Sequence, residues 1–208
     1  MLCIGYFERR LLEMDVIYRL PGLFIAIVFH ELAHGFTAYK LGDNTAKDAG
    51  RLTLNPLKHI DLTGFLFLLL FKFGWAKPVP INSFNFKNRK TGMILVSVAG
   101  PLTNFILAII FGSILTSNLI TNEILFNIIL TTMWYNIMLG VFNLLPFPPL
   151  DGSKIFASLL PKKLEFYFYM YEKYLYIILI ILIATNSIDK IMGPIIEAVL
   201  NLLILIIV

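Results

Sequence analysis

Long apolar runs separated by short polar stretches dominate the chain. The run from Leu20 to Leu41 would be about 33 Å long as a helix, enough to cross a hydrocarbon core of about 30 Å. Gly92 to Ser117 forms a second such run and Ile124 to Leu145 a third, ended by the helix-breaking stretch Pro146-Phe147-Pro148-Pro149. Tyr174 to Ala184 and Ile191 to Val208 are shorter and are separated by Asn186, Ser187, Asp189 and Lys190, which predicts a tight helical hairpin or two tilted spans. Leu62 to Trp75 is apolar but too short to span easily, and Lys72 and Gly74 interrupt its end, so a re-entrant or interfacial segment is expected there. The pattern predicts an all-α polytopic membrane protein, a bundle of about five transmembrane segments. Three helices make its core within residues 20–160, an extended or re-entrant segment follows the first span, and a C-terminal helical hairpin covers 174–208.

Composition agrees with that reading. Of 208 residues, 58% are hydrophobic and 14% charged, and the mean hydropathy of +0.81 is too high for a soluble domain. No linker, charge block or repeat divides the chain, so residues 1–208 read as a single membrane-embedded domain. Cys3 is the only cysteine, which excludes an internal disulfide and leaves His and carboxylate as metal donors. The net charge of +4 comes from 17 Lys and Arg dispersed between apolar runs, not gathered into a nucleic-acid-binding face. They carry topology instead. Lys40, Lys47, Arg51, Lys58, Lys72, Lys77, Lys87, Arg89, Lys90, Lys154, Lys162, Lys163 and Lys173 fall on one side of the proposed spans, and Arg9, Arg10, Arg19 and Lys190 on the other. The excess marks the cytoplasmic side, so both long connections are expected there and the N-terminus outside.

His30-Glu31-Leu32-Ala33-His34 is an HExxH motif on a predicted helix. Its i, i+4 spacing stacks both imidazoles on one face, where they can bind one zinc ion. Glu31 lies beside them, placed to take a proton from a water whose pKa zinc lowers. Two of the three histidines and a carboxylate fall inside a segment read as membrane-buried. Each such group costs at least a few kcal/mol there unless it is paired, ligated or hydrated. A catalytic zinc takes three protein ligands, so one more is required. His59 lies in the polar loop Asn55-Pro56-Leu57-Lys58-His59, where a solvated histidine is expected, whereas Asp151 follows the third span at the level of His34. Locally, Leu150-Asp151-Gly152 also fits a turn or helix cap.

The HELAH of residues 30–34 and the stretch Asn143-Leu144-Leu145-Pro146-Phe147-Pro148-Pro149-Leu150-Asp151-Gly152 resemble the two metal motifs of the site-2 protease family, peptidase family M50. Gly42-Asp43, Gly50-Arg51-Leu52-Thr53-Leu54-Asn55-Pro56, Gly74-Trp75-Ala76-Lys77-Pro78-Val79-Pro80 and Ala99-Gly100-Pro101-Leu102-Thr103-Asn104 are similar to its compact bacterial or archaeal branch. The resemblance spans roughly residues 20–160. It implies a polytopic zinc metalloprotease of a prokaryotic cell membrane with one Zn2+ per chain, His30, His34 and Asp151 as ligands and Glu31 as base. Its substrates would be transmembrane proteins, cut on the cytoplasmic side. The chain departs from better-known relatives in having no room for a PDZ or CBS domain and no full span before the HExxH helix.

Asn104 is placed either to orient the scissile carbonyl and stabilise an oxyanion or to glue helices together. Asn143 is placed to bond substrate or metal shell, or to satisfy backbone groups near Pro146. Ala76 to Asn82 reads as extended because each proline biases its predecessor away from helix. Val79 and Ile81 then offer an edge for an unwound substrate; a surface loop is the bland reading. Two alternatives complete the sequence reading. One is a membrane zinc protease using Glu165 or Glu172 as third ligand; the other is a metal-ion transporter or metal-binding scaffold, which should have more than one ionisable station.

Overall fold

The structure, a computed structural model, describes residues 16–71, 74–117 and 119–207; the readings that involve Cys3, Arg9, Arg10 and Lys72 lie outside the described residues. Helices α1 (Val16–Lys40), α4 (Arg89–Thr116), α5 (Glu123–Asn143) and α9 (Ile188–Ile207) are each long and apolar enough to cross a membrane. Shorter ones connect them: α2 (Thr45–Asp48), α3 (Leu62–Phe71), α6 (Asp151–Leu159), α7 (Lys162–Met170) and α8 (Glu172–Ala184). Helices α4 and α5 begin slightly before the apolar runs because asparagines cap them. The Asn88 side chain accepts from Thr91 N at 3.1 Å and that of Asn122 from Leu125 N at 3.0 Å.

Helix α4 runs antiparallel to both α1 and α5, with Asn104 as the shared level. Its Nδ2 donates to Ala26 O of α1 at 3.1 Å and to Asn136 Oδ1 of α5 at 2.9 Å. Outward-facing Leu95, Leu102, Ile106 and Ile110 of α4, with Leu202 and Leu205 of α9, remain exposed, as side chains facing lipid must be.

Expectation and structure part at the C-terminal end. Helix α8 has 13 residues, about 20 Å, and meets α7 at a bend of 58°; neither crosses a membrane alone. In α9 the ladder Ile188, Met192, Ile196, Leu200 and Leu203 is buried along its whole length in one core with α4 and α5. Its far end, Leu203 and Ile207, lies against Gly112 near the end of α4. Helix α9 therefore runs in the same direction as α4, and the α8–α9 turn sits at the end of the bundle where α4 starts. Lys190 thus joins the basic side, correcting the placement expected from a spanning hairpin; the α7–α8 pair enters and leaves at one level.

Helix α3 similarly goes out and back. Ile60 bridges Ala76, and Lys77 N donates to His59 O at 2.9 Å, so both ends of this segment meet. Leu62 and Leu66 on it are exposed, in keeping with the interfacial position expected. Beyond the bridge, residues 77–82 run outside any helix alongside α1.

Candidate metal centre

Helix α1 carries His30 and His34 one turn apart, past its midpoint, with their rings edge to face at a centroid distance of 4.5 Å. Asp151 is the first residue of α6, delivered after the proline stretch ends α5. A Cβ on Gly152 would fall 2.2 Å from Leu144 O, so the glycine lets α6 start hard against the end of α5 and holds Asp151 inward. All three side chains are buried.

The donor atoms converge. His30 Nε2 lies 3.2 Å from Asp151 Oδ2, His34 Nε2 lies 2.9 Å from the same oxygen, and the two Nε2 atoms are 3.0 Å apart. On the opposite side of each ring, Nδ1 faces an acceptor: Asn104 Oδ1 at 2.6 Å for His30 and Val96 O at 2.7 Å for His34. The Asn104 amide cannot turn around, because its Nδ2 is committed to Ala26 O and Asn136 Oδ1. Each imidazole therefore carries its hydrogen on Nδ1 and presents an Nε2 lone pair inward. Two lone pairs and a carboxylate oxygen facing one another repel unless a cation lies among them. Their separations come close to the edges of about 3.3 Å of a tetrahedron with bonds of about 2.05 Å to zinc. The residues fit the ion.

Lys154 Nζ approaches Asp151 Oδ1 at 3.2 Å, leaving Oδ2 for the histidines. Glu31 points from α1 toward the 77–82 segment, where its Oε2 accepts from Val79 N at 2.8 Å.

The remaining sequence candidates fall into place around this cluster. Asn104 is fully buried and its amide joins His30 and Ala26 O of α1 to Asn136 of α5, the helix-bridging placement among the two expected for it. Asn143 Nδ2 donates to Leu139 O at 3.0 Å within its own helix, so it satisfies α5 and stands apart from the cluster. Val79 is buried and Ile81 packs on the Ala38, Phe86 and Val96 cluster. Glu165 is engaged by Lys90 at 3.1 Å and Glu172 lines a groove beside Pro148; neither belongs to the donor cluster. His59 is fully buried and its Nε2–H donates to Thr53 O at 2.8 Å, so it is not the solvated histidine expected, because its loop folds back under the 77–82 segment. Among the described residues, His30, His34 and Asp151 are the one such cluster.

Sequence reasoning missed Gly100, Val96, Asn136 and Lys154 as parts of this centre. A Cβ on Gly100 would lie 2.5 Å from His34 Nε2 and 2.6 Å from His30 Cε1, so α4 can cross the histidines only as glycine there. The polar Asn136 within an apolar run was the available signal.

The family model described as peptidase family M50 matches residues 113–185, a stretch that contains Asp151 but not the histidines. "Putative zinc metalloprotease YwhC" of Bacillus subtilis is 40% identical over 189 residues, which cover 87% of this chain and 86% of that protein. The chain belongs to peptidase family M50. Other relatives are longer. "Zinc metalloprotease MJ0392" of Methanocaldococcus jannaschii is 30% identical over 68% of this chain and 34% of its own length. "Putative zinc metalloprotease Rip2" of Mycobacterium tuberculosis is 31% identical over 68% of this chain and 56% of its own. No solved structure gives a significant match. With its M50 membership, its donor set and its membrane-length helices, the chain is an integral membrane zinc metalloendopeptidase.

Proposed function

We propose that this M50 member cuts peptide bonds within or beside transmembrane segments of other membrane proteins, with Glu31 as general base. One observation carries the reading: His34 of the donor cluster lies on α1 six residues before its end at Lys40, about 9 Å inside a membrane-length helix. Peptide bonds that reach such a depth belong to membrane proteins.

A zinc ion held by His30, His34 and Asp151 supplies Lewis-acid chemistry, lowering the pKa of water and polarising a carbonyl. Glu31 accepts the proton of the attacking water and returns it to the leaving amine nitrogen. Its Oε2 is fixed by Val79 N–H, so one oxygen is held while Oε1 is left to take the proton.

Substrate presentation follows from the same segment. Pro78 and Pro80 lack N–H groups and keep their predecessors extended, and Asn82 is extended at φ −111°, ψ 98°. Residues 79 and 81 then direct their backbone groups to the edge where Glu31 sits. An unwound substrate strand can pair along this edge with Val79 C=O and Ile81 N–H. A transporter would need further metal-holding stations along its path, and among the described residues His30, His34 and Asp151 are the one group of three or more such donors. The excess of Lys and Arg at the end of the bundle that holds the centre supports a cytoplasmic position for it.

The test is cleavage of single-span model substrates by detergent-purified wild type, Glu31→Gln and Ile81→Pro, with zinc measured in each. We expect all three to hold one zinc, Glu31→Gln to lose roughly 10²–10⁴-fold in rate, and Ile81→Pro to lose cleavage. Wild-type rates in Glu31→Gln would remove the base; cleavage by Ile81→Pro would remove the pairing edge. Position 81 is cleaner than 79, because Val79→Pro also deletes the bond to Glu31.

A further inference from the structure

Arg51 is a buried cation whose guanidinium is spent on backbone carbonyls: its Nη2 donates to Lys77 O at 2.6 Å and its Nη1 to Pro78 O at 3.2 Å. A guanidinium taken out of water is expensive unless its hydrogen bonds accomplish something specific. What they reach is informative. Pro78 C=O and Val79 N–H belong to a single planar peptide unit, and that N–H is the donor to Glu31 Oε2 at 2.8 Å.

From this geometry we infer that Arg51 is a positioning residue for Glu31, acting through the Pro78–Val79 peptide. The inference rests on the reading of Glu31 as general base. The guanidinium withdraws electron density from the Pro78 carbonyl, the peptide N–H becomes a stronger donor, and the Glu31 carboxylate is held in one rotamer by a chain of mutually polarised hydrogen bonds. No proton moves along the chain; it fixes direction and charge.

The local fold is arranged to deliver Arg51 to this place. Gly42 and Gly50 both have positive φ, 104° and 63°, and each ends a helix with the same paired bonds. Gly42 N bonds Tyr39 O and Asp43 N bonds Ala38 O; Gly50 N bonds Lys47 O and Arg51 N bonds Ala46 O. Both stops turn the following charged residue inward. Asp43 Oδ2 then accepts from Asn82 N at 2.7 Å, so Asp43 holds the far end of the segment whose near end Arg51 holds. Val79, with Glu31 attached, lies between the two clamps. A Cβ on Gly35 of α1 would touch Leu52, Val79 and Ala46 side chains at 2.8–3.3 Å, so the clamp and the segment close tightly on the helix beside His34.

Because residues 78 and 80 are prolines, Val79 supplies the only backbone amide between Lys77 and Ile81. Its hydrogen exchange therefore reports the bond to Glu31 directly. The experiment compares zinc-loaded wild type, Arg51→Gln and Arg51→Lys by exchange at Val79, zinc content and steady-state cleavage of a single-span substrate. We expect Arg51→Gln to keep its zinc, exchange the Val79 amide at least tenfold faster, and lose about tenfold or more in kcat with KM within twofold. Arg51→Lys, which keeps the charge but not the fork, should fall between. Unchanged Val79 exchange in Arg51→Gln overturns the hydrogen-bond chain whatever the activity. Faster exchange with unchanged kcat overturns the positioning role. Should wild type itself cleave nothing, the functional reading fails, and Val79 exchange still decides whether Arg51 holds Glu31. If Arg51→Gln does not fold, Arg51→Lys decides both points from smaller changes.

Discussion

A methyl group at position 100 would occupy the space of the His34 and His30 imidazole edges, 2.5 and 2.6 Å away. Because the clash is with two ligands at once, neither ring can move aside without leaving its Nδ1 acceptor. We expect Gly100→Ala to fold, by circular dichroism in detergent, yet hold no stoichiometric zinc by elemental analysis. Asn104→Ala should be milder. It frees the His30 ring without blocking it, so zinc affinity should fall by about 10–100-fold, the usual cost of deleting a group behind a metal ligand; chelator competition measures both. Full zinc at wild-type affinity in Gly100→Ala would mean the cluster is not the metal site. Residue by residue, the sequence is legible where chemistry demands a rare residue type. His30, Glu31, His34 and Asp151 stand out because ionisable groups are costly in an apolar run. Gly100 and Val96 do not, since one acts by absence of volume and the other through a carbonyl that every residue has. His59 misleads for a related reason: a polar loop says nothing about whether the loop is folded back under another segment.

The extended segment depends on its clamps as an element, and one of them titrates. Burial raises the Asp43 carboxyl, but hydrogen bonds from Thr45, Asn82 N–H and Asn85 outweigh it and hold the group below its ordinary range. A carboxyl whose pKa is depressed on folding contributes stability that is complete above its unfolded value of about 3.9. That contribution is lost as pH falls through the lower folded value. Asp43→Asn cannot accept from both Asn82 and Asn85, and should cost about 1–3 kcal/mol near neutrality. The gap to wild type should close progressively below about pH 4. Thermal denaturation in detergent with chelator present, so that zinc release does not intrude, checks this; a gap constant with pH would show that the Asp43 charge is not what holds Asn82. At this scale the sequence announced more than its propensities suggest. Gly42-Asp43 and Gly50-Arg51 mark two helix stops, and the prolines at 78 and 80 mark the extended stretch. That the charged residue of each stop turns onto the same stretch is long-range information, absent from either motif.

For the whole molecule, hydropathy located the spans but not their direction at the C-terminal end. Tyr174 to Ala184 is apolar enough to pass for a short span, and a window of composition cannot tell a crossing helix from one that enters and returns. The core decides it, since the buried ladder of α9 and its contact with Gly112 make α9 parallel to α4. The 13 cationic residues that hydropathy puts on the basic side gain Lys190 and become 14 of the 17, which strengthens the charge asymmetry that sets orientation. With Cys3 replaced by alanine, single cysteines at Lys87, Thr121 and Lys190 test this in intact cells with a membrane-impermeant maleimide. The parallel α9 predicts that position 121, in the α4–α5 turn, reacts from outside, whereas 87 and 190 react only after permeabilisation. A spanning α8 predicts instead that 190 reacts together with 121. Reaction of 87 and 190, but not 121, from outside would invert the bundle and place the metal centre at the outer face, moving the cleavage site to the opposite membrane surface while leaving the donor cluster, Glu31 and the Arg51 clamp as they are.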